Sequence, residues 1–190
     1  MGIKNPQQMK NAVNASMLNR TGKTTEQWVD LVKQSGLDLS DQNAVRKWLK
    51  SEHSIPQNSQ WAIAEAAALG AGWTPPTLEQ QIDAQYTGKK AQFRETFAQL
   101  RDVIMQLGDD VSVEGRAGYI PFSRKRQFVA IAVTQNRLDL GLRFTDAPDS
   151  PLLQPCSAPG QSTHKICIRA GEKIHIDITK LIQLAYSQNG

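Results

Sequence analysis

"RQFVAIAVTQNRLDLGLRF", residues 126–144, holds two apolar runs with a short polar break between them, and its reading decides the fold. The first run, 127 to 134, is apolar at consecutive positions, as expected of a central strand covered on both faces. In the second, Leu138, Leu140, Leu142 and Phe144 alternate with Arg137, Asp139 and Arg143, so one face is core and the other charged. Gln135-Asn136 makes the turn between two strands.

Working outward, "GYIPF" (118–122) predicts a strand before this pair. "HKICIRAG" (164–171) and "KIHI" (173–176) predict one or two after it. Phe93, Phe97, Leu100, Ile104 and Leu107 recur at helical spacing, which predicts a helix over 90–107 stopped by Gly108. "LIQLAY" (181–186) predicts a closing helix with Leu181, Ile182 and Ala185 inward. Strands clustered between helices indicate an α+β domain over 89–190, with a mainly antiparallel sheet flanked by helices. The Pro-, Ser- and Gly-rich stretch 146–162 is expected to be a mobile surface loop.

The first part of the chain differs. All 4 tryptophans lie between Trp28 and Trp73, which marks a separate small core. The letters GKTT at 22–25 raise the question of a phosphate loop, but the position five before Gly22 is Met17, and the preceding stretch has no buried strand. Thr24 and Gln27 instead have the spacing of a capping box, followed by Trp28, Leu31 and Val32 on one helical face. A second helix starts after Asp41, with Ala44, Val45, Trp48 and Leu49 inward, and "SQWAIAEAAALG" is the third. The expected organisation is an N-terminal tail (1–20), a three-helix module (21–73), a linker (74–88) containing Pro75 and Pro76, and the α+β domain.

Composition limits the function classes. With 22 Lys plus Arg against 18 Asp plus Glu, the net charge of +4 admits an anionic partner without demanding one. No apolar stretch approaches the roughly 20 residues of a membrane helix, so no membrane partner is expected. The start lacks an apolar leader, and Pro6 departs from the myristoylation pattern after Met1-Gly2, so a cytoplasmic address is expected. Cys156 and Cys167 are expected to be free thiols.

Arg116, Arg124, Lys125, Arg126 and Arg137 occupy a stretch without an acid, and Tyr119 and Phe122 interleave with them. Cations beside aromatic rings suit single-stranded nucleic acid, where charge meets phosphate and the ring stacks on a base. The same cations also read as a solvated turn entering a central strand. Arg137 and Asp139 share a strand face, and with Tyr119 and His164 they form an alternative polar pocket in which Asp139 would orient the imidazole. By parity, however, His164 belongs to the face of Ile166 and Ile168, as a core-edge histidine. Cys156, His164, Cys167 and His175 lack the tight paired spacing of a structural zinc site. No nucleophile elbow, metalloprotease helix or dinucleotide fingerprint occurs, so no cofactor is implied.

The stretches "TGKTTEQWVDLVKQSG", "VRKWLKSEH", "TGKKAQF", "GYIPFSRKRQFVAI", "NRLDLGL", "THKICI" and "LAY" together resemble an uncharacterised bacterial family. In it a helical domain of unknown function precedes an α+β domain of unknown function. The resemblance implies this architecture and a bacterial cytosolic setting, and no catalytic assignment. Its recurring polar residues are Tyr119, Arg126, Arg137, Asp139 and His164. Two readings follow. One is a non-catalytic binding or adaptor protein with a basic face for nucleic acid, another polyanion or a protein partner. The other is a small enzyme or ligand-binding protein using the Tyr119, Arg137, Asp139 and His164 pocket. Oligomeric state is not encoded in any motif.

Overall fold

The computed structural model describes residues 6–190, with side chains from residue 11 onward. Met1 and Gly2 therefore lie outside the described residues. The chain divides at Pro75/Pro76 into two compact units.

The first unit consists of α1 (Pro6–Ala15), α2 (Met17–Thr21), α3 (Thr25–Gln34), α4 (Gln42–His53) and α5 (Gln57–Gly70). The GKTT letters are a helix stop followed by a helix start. Gly22 closes α2 with φ 75°, a conformation that favours glycine. Thr24 then accepts from the Gln27 N–H (3.3 Å), while the Gln27 side chain accepts from the Thr24 N–H (2.9 Å). Asp41 caps α4 by accepting from the N–H groups of Asn43 and Ala44. Trp28, Val32, Val45, Leu49, Ile63, Ala64 and Ala67 form the core. The unit is wider than the expected 21–73, because α1 and α2 precede it and Met17 is wholly buried in its core. Trp61 behaves differently from Trp28: it remains 48% exposed.

The second unit begins with α6 (Leu78–Gln85), a 3-10 turn (Gly88–Phe93) and α7 (Arg94–Met105). Six strands follow: β1 (Ser112–Val113), β2 (Ile120–Ser123), β3 (Gln127–Val133), β4 (Leu138–Leu142), β5 (Gln154–Pro155) and β6 (His164–Ile168). They form one antiparallel sheet in the order β1-β2-β3-β4-β6-β5, and α8 (Ile176–Ser187) closes the unit. This is the α+β class read from the sequence. Phe93, Phe97, Leu100 and Ile104 from the first helical segments join Ile120, Val129, Ile131, Leu138, Leu140 and Leu142 from the sheet and Ile182 from α8. All of these are wholly buried.

Three expectations change. The stretch assigned to a linker, 74–88, carries α6, started by a second capping box between Thr77 and Gln80, and buries Ile82 and Tyr86. "KIHI" is not a strand: His175 caps α8 by accepting from the Asp177 N–H, and Ile176 is already helical. The 146–162 stretch contributes β5 and packs onto the sheet, with Pro159 and Ser162 lying directly over Gly141.

Register separates the two sheet faces. Leu138, Leu140 and Leu142 pair with Ile168, Ile166 and His164, whereas Asp139 and Gly141 pair with Cys167 and Lys165. Between β2 and β3, Phe122 pairs with Val129 but Ser123 pairs with Gln127, so Phe128 is an extra, bulged residue. Its ring thereby reaches Tyr186 of α8 (centroids 5.5 Å apart). Among the described residues, no helix is long and apolar enough to cross a membrane.

Candidate functional site

The basic stretch read from the sequence does not form one open cationic surface. Arg116 pairs with Glu114 (2.8 Å), and its backbone N–H donates to the Tyr119 carbonyl. Arg124 is the most constrained cation. It pairs with Asp110 (2.7 Å), donates to the Tyr186 carbonyl (3.2 Å), and lies 3.8 Å from the Tyr186 ring centroid. Its hydrogen bond to Asp110, and that of the Tyr186 hydroxyl, hold the Asp110 carboxyl below its ordinary value. Arg137 pairs with Asp139 (2.7 Å). Lys125 and Arg126 remain exposed with no acidic partner among the described residues. Phe122 is wholly buried, which corrects its assignment as a stacking ring; it sits on a strand position paired with core Val129. Tyr119 is half-buried just before β2.

The alternative pocket does not converge either. His164 is paired with Leu142 on the core face, and its ring meets Phe144 edge-on (5.8 Å). Asp139 points to the opposite face, and Tyr119 lies two strands away from it. What Asp139 does gather is a compact charge network. It accepts from Arg137 (2.7 Å), Lys165 (3.2 Å) and the Cys167 thiol (3.4 Å), with its side chain only 13% exposed. Burial disfavours its ionised form, but the three donors outweigh burial and hold the carboxyl below its ordinary value. Burial and the adjacent Asp139 carboxylate push the Cys167 thiol up, which keeps it a neutral donor rather than a nucleophile. Here two cations share one carboxylate, as in a structural network. Cys167 and His164 face opposite sides of β6, and no group of three or more His, Cys, Asp or Glu suited to a metal ion occurs among the described residues.

The first unit presents a different arrangement. Along α4, Asn43, Arg46, Lys47 and Lys50 fall at i, i+3, i+4 and i+7, one helical face. Opposite them stand Ser54 and Ile55 and the first residues of α5, Gln57 and Gln60. Together they line a groove of about 770 Å³ that contains three cations, three amides and no carboxylate. None of the three cations has an acidic partner among the described residues.

Two local features sharpen the groove. Pro56 stands at the N-cap of α5 and supplies no side-chain acceptor, and the first turn of α5 holds no acid. The positive end of a 14-residue helix is thus left for an external acceptor. The Arg46 guanidinium carbon lies over the Trp61 indole, 3.6 Å from its centroid, and the buried Nε has no hydrogen-bond partner. The guanidinium is held by stacking on an aromatic ring, where Arg124 and Arg137 of the second unit are held by carboxylates. The sequence reading missed this site. The signal was the spacing of "NAVRKWLK" (43–50), whose cations are interleaved with the buried stripe Val45 and Leu49.

The family model of the domain of unknown function DUF5655 matches residues 82–189, more than half of the 190 residues, and the chain belongs to this family. The model of a second domain of unknown function, DUF4287, matches residues 11–67. No curated protein and no solved structure matches the chain.

Proposed function

We propose that this protein is a non-catalytic binding or adaptor protein that contacts a polyanion, and that the contact is made by the α4–α5 groove. The single observation that carries this reading is the groove's composition: Arg46, Lys47 and Lys50 with Asn43, Gln57 and Gln60, and no carboxylate. Unpaired cations have no internal salt bridge to break before they engage an anion. The paired cations Arg116, Arg124 and Arg137 would each have to leave a carboxylate at 2.7 to 2.8 Å. The cytoplasmic setting expected from the sequence supplies nucleic acids and polyphosphate as candidate polyanions.

The test is a titration of the full chain against labelled single-stranded DNA, duplex DNA and inorganic polyphosphate over a range of salt. Three phosphate contacts give a slope of log affinity against log salt of about −2 for a single strand. Replacing Arg46, Lys47 and Lys50 together with Gln is expected to flatten that slope and abolish binding at moderate salt. Replacing Lys125 and Arg126 is expected to leave most of it. Absence of binding to all three probes at low salt, or full binding by the triple variant, overturns the reading.

A further inference from the structure

Resting on that reading, we infer that the groove's ligand is a nucleic acid single strand, with one base stacked on Trp61. A polyanion alone explains cations; it does not explain an indole left 48% exposed beside them. Large aromatic side chains bury most of their surface when they serve packing, and Trp28 in the same unit does so at 3% exposed. Trp61 instead carries the Arg46 guanidinium on one ring face and solvent on the rest of its exposed surface. An indole backed by a guanidinium is a rigid platform. The cation withdraws electron density through the ring and fixes its plane, and a nucleobase can then stack without first ordering the side chain.

The platform is placed where a strand's backbone would run. Asn43 to Lys50 spans seven residue steps, roughly 10 Å of helix axis, enough to follow a strand past more than one phosphate. The uncapped start of α5 lies at the groove's other wall, where its first N–H groups can take a further phosphate oxygen. Trp61 follows Gln57 and Gln60 on the same helix, one turn in from that wall. A strand lying along α4 therefore presents its phosphates to Arg46, Lys47 and Lys50 and turns a base toward Trp61. A duplex cannot make the second contact, since its bases are already stacked on one another. Polyphosphate has no ring to offer.

The experiment uses the full chain with three probes: a labelled homopyrimidine single strand, the corresponding duplex, and inorganic polyphosphate. Trp61→Ala is expected to weaken the single strand by roughly 5- to 100-fold. Its salt slope and its polyphosphate affinity should stay as in the parent chain. Trp61→Phe, which keeps a ring, is expected to recover most of the loss. Quenching of the protein's tryptophan emission on adding the single strand should be smaller in Trp61→Phe, and a thermal melt of each variant controls for folding. The inference is overturned if Trp61→Ala leaves single-strand affinity unchanged, if it weakens polyphosphate equally, or if the duplex binds more tightly than the single strand. In each of those cases the cationic groove stands and only the strand is lost. Loss of all binding in the parent chain would instead remove the polyanion reading itself.

Discussion

The basic run of 116–137 and the α4 face use their positive charge in opposite ways. In the second unit, Arg94, Arg101, Arg116, Arg124, Arg137 and Lys165 each meet a carboxylate within 4.0 Å. In the first unit, the three cations of the α4 face meet none among the described residues. The longer basic run in the sequence is thus the weaker candidate surface. Acids that flank it in the chain, Asp110, Glu114 and Asp139, pair with its arginines, whereas the shorter run on α4 is left open. The density of cations along a chain does not measure the density of available cations on the folded molecule.

The strongest way to break this comparison is at its most satisfied point. Asp139→Ala strands Lys165 and Arg137 beside a half-buried gap, and is expected to destabilise the second unit by about 2–3 kcal/mol in urea unfolding. That figure lies below a fully buried pair because the Arg137 side chain is 46% exposed. Since every tryptophan lies within 28–73, tryptophan emission follows the first unit, and its transition should not move. A joint shift of both transitions would mean that the units do not respond separately. The same carboxylate gives a pH test. Its folded value lies below the ordinary one, so its contribution is present above about pH 4 and is lost as pH falls through the folded value. Asp139→Asn should therefore flatten the acid limb of the far-UV melting profile.

A smaller effect is expected at Gly141. A Cβ there would collide with Ser162 Oγ and lie 2.8 Å from Pro159 Cδ, so Gly141→Ala must displace the segment covering the charged face. About 1–3 kcal/mol of destabilisation by overpacking is expected, read by the same far-UV transition. Thr24→Ala removes half of the first capping box and is expected to cost the first unit about 1 kcal/mol, now visible in tryptophan emission. It should change no nucleotide affinity, and saturable ATP or GTP binding lost with Lys23→Ala would revive the phosphate-loop reading. Least of all, Lys47→Gln and Lys50→Gln should each shift stability by no more than about 0.5 kcal/mol, as expected of solvated charges free of structural duty. A large loss at either would show that the groove's cations are as engaged as those of the second unit.

The legibility of the chain follows from the range of each signal. The alternation of Leu138, Leu140 and Leu142 and the Thr24–Gln27 box are local patterns, and both elements lie where they read. β1 and β5 have two residues each, too few for any period to appear. "KIHI" alternates like a strand, yet His175 caps a helix, a choice made by the apolar stripe of Ile178, Leu181, Ile182 and Ala185 that follows it. The second T-x-x-Q signal, Thr77 to Gln80, is as local as the first, but it follows two prolines that read as a joint. The candidate site escaped for a different reason. Cations on the outer face of an amphipathic helix look alike until the fold shows which of them face a carboxylate and which face an empty groove.

The closure of the second unit has a temporal side. Its last helix, Ile176–Ser187, supplies buried Ile178, Leu181, Ile182 and Ala185, and Tyr186 clasps Arg124 and Asp110, partners 62 and 76 positions earlier in the chain. The first unit, by contrast, gathers α1, α3 and α4 on α5 and is complete before α6 begins. On a ribosome, the helical unit can assemble while the sheet is still being translated. The core that the sheet shares with Phe93, Phe97, Leu100 and Ile104 stays incomplete until residues 176–187 have emerged. A nascent chain paused before that point would carry a folded helical unit attached to a β-sheet whose core is still incomplete.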